Sequence, residues 1–188
     1  AVIDEESYDN SIQLDCALVT SVEMLGSEQP QHIYRATKQG RPVAAAIETT
    51  APDGYSGKIQ LVVGVTSSKL DSAKVTGVRI LDHKETPGLG DKIDLRINDW
   101  VLDFDNQVYT AEMASNWAVK KDGGQFDQFT GATITPRAVV NAVRASVEYY
   151  LANKTTIFSA ANGCALNNTV NNVENTVAIN MNVDNKSK

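Results

Sequence analysis

Three threonines, Thr130, Thr133 and Thr135, crowd the run Phe126-Asp-Gln-Phe-Thr-Gly-Ala-Thr-Ile-Thr-Pro, with Gly131 and Ala132 between the first two. The residues that follow have a helical pattern, so the hydroxyls stand where a helix begins. A helix start offers backbone N–H groups without intrahelical acceptors and a partial positive charge, a combination that favours phosphate. Gly131 and Ala132 are small enough to let a bulky ligand approach the backbone. The same residues also suit a plain capped helix after a tight turn, and the segment alone leaves both readings open.

A second segment, Asp82-His-Lys-Glu-Thr-Pro-Gly-Leu-Gly-Asp-Lys, is punctuated by Pro87, Gly88 and Gly90 where a strand ends near Leu81. Polar His83, Glu85 and Thr86 precede Leu89, an apolar residue set between two glycines. That arrangement can lie against a flat ring; it also fits an ordinary strand-ending turn. It is not a dinucleotide fingerprint, because the third glycine is missing and no phosphate-binding helix start follows.

Both segments need a scaffold, and the pattern around them supplies one. Ile33-Tyr-Arg-Ala-Thr turns at Gln39-Gly40 into Val43-Ala-Ala-Ala-Ile-Glu-Thr-Thr, which reads as a hairpin. Ala51-Pro-Asp-Gly54 breaks the second strand with turn residues. Lys58-Ile-Gln-Leu-Val-Val-Gly-Val-Thr and the alternating Val75-Thr-Gly-Val-Arg-Ile-Leu read as an antiparallel pair. With no βαβ rhythm, a Rossmann or flavodoxin fold is disfavoured. Val139, Val140, Val143, Val147, Tyr150 and Leu151 form one apolar stripe, predicting a helix over 136–152 with Thr135 as N-cap and Pro136 as first residue. The expected fold is α+β: a mostly antiparallel sheet packed against helices. Residues 1–32 are expected to pack on a domain spanning 33–158; within them, 7–29 show no clean period. Residues 159–188 form an Asn-rich extension, packing at first through Cys164 and Leu166 and mobile at its end.

Composition narrows the function classes. A net charge of −6 over 188 residues argues against nucleic acid as a partner. No apolar run is long enough to span a bilayer. The opening Ala-Val-Ile-Asp-Glu-Glu has neither an initiator methionine nor a signal peptide, so a processed or truncated chain is expected. Cys16, Cys164, His32 and His83 are too few and too scattered for a structural zinc site, and no metal site is expected. The two cysteines suit either a disulfide or a pair of buried thiols.

Taken together, His83-x-Glu-Thr-Pro-Gly-Leu-Gly90 and, roughly forty residues later, Thr130-Gly-Ala-Thr-x-Thr135 resemble the covalent FMN-binding domain. That domain occurs in the G subunit of the Rnf electron-transport complex and in the C subunit of the Na⁺-pumping NADH:quinone oxidoreductase. Gly54-Tyr55-Ser56-Gly57 is a third, weaker match, and the resemblance covers residues 33–152. The run Lys121 to Val140 and the compact length resemble the Rnf version more closely. The resemblance implies FMN esterified to Thr133, attached from FAD by a separate Mg²⁺-dependent flavin transferase. It implies that Thr130, Gly131, Ala132, Ile134 and Thr135 frame the phosphate, and that Glu85, Thr86, Gly88 and Leu89 lie near the flavin ring. It further implies an electron carrier without catalytic side chains, inside a membrane complex coupling ferredoxin and NAD⁺ redox chemistry to ion transport. The other subunits of that complex are the implied partners. Family members usually begin with a transmembrane helix and a periplasmic domain, which implies the periplasmic side of a bacterial inner membrane; this chain departs by lacking the helix, so membrane attachment is inferred rather than seen. That location favours a Cys16–Cys164 disulfide. The rival readings are the equivalent FMN carrier of the Na⁺-pumping oxidoreductase, a flavin-binding sensory or regulatory module, and an interaction domain without flavin.

Overall fold

Gln39 and Gly40 both adopt positive φ, 52° and 71°, the two-residue turn whose twist matches the flanking strands. The turn closes Lys38 on Arg41 and starts a six-stranded antiparallel sheet. In a computed structural model that describes residues 1–67 and 69–165, each strand pairs with the next along the chain. The strands are β1 (Cys16–Ser21), β2 (Ser27–Lys38), β3 (Arg41–Ala51), β4 (Ile59–Thr66), β5 (Ser72–Asp82) and β6 (Val108–Thr110). A short helix α1 (Val22–Leu25) joins β1 to β2, and a long helix α2 (Ile134–Ser159) follows the sheet. The architecture is α+β, as the sequence pattern indicates.

One face of the sheet carries Ile47, Leu61, Val63, Val65 and Val75, all without exposed surface. Helix α2 lies against β3, β4 and β5. Val139, Val140, Val143, Val147 and Tyr150 of its apolar stripe are fully buried, and Leu151 is half-buried. Because side chains alternate along a strand, Ala44 and Ala46 face the other way. They form a second apolar cluster with Ile3 and Ala36, packed by Val2, Tyr8 and Ile12. The first residues of the chain thus lie flat on the outer face. The fit is close: a Cβ on Gly64 would stand 2.1 Å from the Val2 carbonyl oxygen, to which Thr76 Oγ1 donates at 2.5 Å.

Three local expectations are corrected. The stretch 7–29 contains β1, α1 and the beginning of β2. Its pattern misleads because β1 buries Cys16 and Ala17 in succession while Leu18 is exposed, so no two-residue period appears. Helix α2 begins at Ile134 with Thr133 as N-cap, placing Thr135 and Pro136 inside the first turn, where proline is still tolerated. It also runs on to Ser159 rather than stopping at 152. Leu166 and the expected mobile end of the Asn-rich extension lie outside the described residues.

The far end of α2 is tied back to the sheet. Arg35, almost fully buried, donates through Nη1 to the carbonyls of Ile157 (3.2 Å) and Ala160 (2.6 Å) and pairs with Asp15. A cation at a helix C-terminus meets carbonyls that have no intrahelical donor. Cys16 and Cys164 are disulfide-bonded, with Cα atoms 5.4 Å apart. Asn162 links the same segments, its Oδ1 accepting from Cys16 N at 3.3 Å and its Nδ2 donating to Leu14 O at 2.8 Å.

Between β5 and α2 the chain makes short 3₁₀ turns around an aromatic cluster. Phe126 stacks on Phe104 at 4.4 Å between ring centroids, and Phe129 packs edge-on to Trp100 at 5.2 Å. Trp100 Nε1 donates to Asp127 O at 2.9 Å. These anchors fix the segment that delivers the three threonines.

Candidate functional site

Phe129, held in the aromatic cluster, starts a tight turn in which Ala132 N donates to Phe129 O at 3.1 Å. Gly131 in this turn has φ +80°, a conformation that glycine adopts without steric cost. The turn delivers Thr133 to the start of α2. Its carbonyl accepts from Arg137 N at 3.3 Å, while its side chain makes no capping hydrogen bond. Its hydroxyl is therefore not used to close the helix. The N–H groups of Ile134 and Thr135 sit in the first turn, where helix geometry provides no intrahelical acceptor. The Arg137 side chain grips Asp122 through Nε at 2.5 Å and Nη2 at 2.9 Å, bracing this turn from outside.

The second loop folds over the same place. Thr86-Pro87-Gly88-Leu89 is a turn with Leu89 N donating to Thr86 O at 3.1 Å. Gly88 has φ +75°, as its third position requires after proline. Leu89 is 43% exposed, and its Cδ2 lies 3.8 Å from where a Gly131 Cβ would stand. The two segments singled out in the sequence therefore face each other. Upstream, Glu85 N donates to His83 Nδ1 at 3.1 Å, leaving His83 Nε2 facing Asp94 Oδ2 at 3.7 Å. The hydrogen bond from Arg96 holds the Asp94 carboxyl down at about 2, outweighing the opposing effect of burial.

Glu85 is buried, and both carboxylate oxygens are engaged. Oε1 accepts from Ser56 N at 2.9 Å, and Oε2 accepts from the Thr135 hydroxyl. The loop 54–57, the loop 83–90 and the start of α2 meet on this one side chain.

Between them lies a cavity of about 310 Å³, lined by Tyr55, Glu85, Thr86, Leu89, Gly90, Gly131, Ala132, Thr133, Ile134 and Thr135. Of the ten residues singled out in the sequence, the lining holds eight. Thr130 and Gly88 are exposed and not part of it. Tyr55 and Gly90 are additions. The signal for Tyr55 was the weak Gly-Tyr-Ser-Gly match, and Gly90 closes the loop motif. At one end stand a free hydroxyl and helix N–H donors, suited to a phosphate ester; elsewhere Leu89, Ile134 and Tyr55 offer apolar surface. These residues fit FMN.

Comparison with known proteins agrees with this geometry. Residues 54–148 match the FMN-binding domain. The chain is 67% identical to the G subunit of the ion-translocating oxidoreductase complex of Pseudoalteromonas atlantica, over 87% of this chain and 76% of that protein. It is 52% identical to the G subunit of the same complex in Vibrio cholerae O395, again over 87% and 76% of the two chains. For the Yersinia pestis counterpart the identity is 56%, over 79% of this chain and 68% of the relative.

Proposed function

The chain belongs to the G-subunit family of ion-translocating oxidoreductase complexes, and we propose that it carries electrons through an FMN held as a phosphoester on Thr133. One observation carries this reading: Thr133, at a helix start and with no capping hydrogen bond from its side chain, lines the same cavity as Glu85, Thr86, Leu89 and Gly90. When bound, the flavin supplies the redox chemistry; the protein attaches, orients and electrostatically tunes it.

Each part of the cavity has a distinct task. Thr133 Oγ would take the place of AMP on the flavin-bearing phosphorus of FAD, the Oγ–P bond forming as the P–O bond to AMP breaks and the hydroxyl proton passing to the departing AMP phosphate or to water. A separate Mg²⁺-dependent transferase performs this step. The first turn of α2, with the Ile134 and Thr135 N–H groups, would hold the one remaining negative charge of such a phosphodiester, a favourable interaction of about 0.3–1 kcal/mol. Gly131 and Ala132 keep the approach open, and Leu89, Ile134 and Tyr55 give apolar surface to a planar ring. No side chain has to act as acid or base. The other subunits of the membrane complex are its partners, and the domain works on the periplasmic side of the inner membrane.

The test is intact mass and colour after co-expression with the flavin transferase. The proposal expects a mass increase of FMN minus water and yellow colour that survives denaturation. A chain that releases all its flavin in denaturant contradicts it.

A further inference from the structure

The Glu85 side chain stands apart from its neighbours because it bonds to both other elements of the site. It is 5% exposed, and its two oxygens accept from Ser56 N and from the Thr135 hydroxyl. The backbone closes on it from two sides. A Cβ on Gly90 would stand 2.8 Å from both Glu85 Oε2 and Thr135 Oγ1, wedged beside the bond that joins them. A Cβ on Gly54 would stand 3.0 Å from Glu85 Oε1 and 2.2 Å from the Gly57 carbonyl. Gly90 is thus needed beside the bond between Glu85 and Thr135, and Gly54 chiefly so that the 54–57 turn can close next to Ser56. Thr135 lies two residues beyond Thr133 in the first turn of α2, and Ser56 follows Tyr55, which is 68% exposed at the cavity mouth.

We propose that Glu85 is a positioning residue, a two-armed clamp that sets the Thr133 end of the cavity and the Tyr55 loop at a fixed separation, so that attachment and ring orientation are preorganised before flavin arrives. This rests on the reading of the cavity as the FMN site. A buried carboxylate serves well here, since two acceptor oxygens diverge from one rigid group, and charge-assisted bonds are stronger than neutral ones. The arrangement also explains why Glu85 lines the cavity without an oxygen left unpaired toward it. Its influence on a bound ring passes through Thr135 and Ser56 rather than through a direct hydrogen bond.

The experiment compares the parent with Glu85→Ala, Glu85→Gln, Thr135→Val, Gly90→Ala and the double variant Glu85→Ala/Thr135→Val. Folding is followed by circular dichroism, transfer of FMN from FAD by intact mass, and ring mobility by flavin fluorescence anisotropy. Thr135→Val and Gly90→Ala, which leave the carboxylate in place, are expected to load about tenfold more slowly, the factor equivalent to one lost hydrogen bond of about 1.4 kcal/mol. Their loaded forms should show lower flavin anisotropy. Glu85→Gln should approach the parent, because its amide oxygen can accept from Ser56 N and its NH₂ can donate to Thr135 Oγ1. The double variant should load no more slowly than Glu85→Ala, since Glu85→Ala already breaks the one bond that Thr135→Val removes. Thr135→Val loading at the parental rate with parental anisotropy overturns the proposal, as does additivity in the double variant. A parent that takes up no flavin removes the reading of the cavity instead. The Ser56 amide resonance of unloaded protein then decides the clamp: a marked upfield shift in Glu85→Ala supports it, and an unmoved resonance overturns it.

Discussion

Replacing Cys16 and Cys164 together by alanine separates the scaffold from the site. Their separation is 148 residues, for which the loop-entropy relation gives about 5 kcal/mol of stabilisation through the unfolded chain. The native links at the same junction, Arg35 to Ile157 and Ala160 and Asn162 to Cys16 and Leu14, remain in the variant. They do not reduce the entropic effect, because it acts on the unfolded chain. Alanine is the better replacement, since Cys16 is fully buried and serine would bury a hydroxyl there. Relaxation and residual structure lower the figure, so a loss of about 2–5 kcal/mol is expected from urea unfolding by linear extrapolation. FMN loading should be unchanged at native conditions. The bond lies past the C-terminal end of the 26-residue α2, roughly 39 Å of helix from Thr133 at 1.5 Å per residue. Unchanged stability, or two free thiols in the denatured parent after export to an oxidising compartment, would refute the reasoning. So would a folded variant that no longer takes flavin.

Other perturbations probe other parts of the molecule. Gly64→Ala drives a Cβ into the Val2 carbonyl and should destabilise by about 1–3 kcal/mol; thermal unfolding should show a smaller penalty once residues 1–3 are deleted. Asp94 has its carboxyl lowered from 3.8 to about 2, chiefly by Arg96. Its folded value lies below the unfolded one, so its stabilising contribution is complete above about pH 4 and is lost as the pH falls through 2. Arg96→Gln should therefore flatten the acid limb of stability against pH; an identical limb by circular dichroism counts against the pairing. Leu89→Ala should alter the flavin absorption spectrum or midpoint potential with covalent loading intact, and parental values at equal loading would make this loop structural only.

How much of this was legible follows local chemistry. The Gln39-Gly40 turn, the alternating strands β4 and β5 and the α2 stripe announce themselves because each buries one regular face. The edge strand β1 does not, with Leu18 exposed beside buried Cys16 and Ala17. Nor does the beginning of β2, where Glu28, Gln29 and Pro30 are exposed. The 3₁₀ turns of 90–122 have no period at all and are held by Trp100, Phe104 and Trp117 meeting in the core. At the site, the threonine and glycine motifs lie on two loops that the fold brings to one cavity, but the capping residue is Thr133 rather than Thr135. The Thr135 hydroxyl is drawn instead to Glu85, fifty residues away in the chain. A bond of that separation leaves no local trace. The same holds for Tyr55, which lines the cavity beside Ser56, whose N–H donates to Glu85.

The central claim is the identity of the esterified residue, and peptide mapping tests it directly. Protein co-expressed with the transferase is digested, and the peptide containing Thr130, Thr133 and Thr135 is fragmented by mass spectrometry. The account predicts FMN minus water on Thr133, and no flavin retained in denaturant by Thr133→Val. Modification of Thr130 or Thr135, or a Thr133→Val variant that stays covalently yellow, would contradict it.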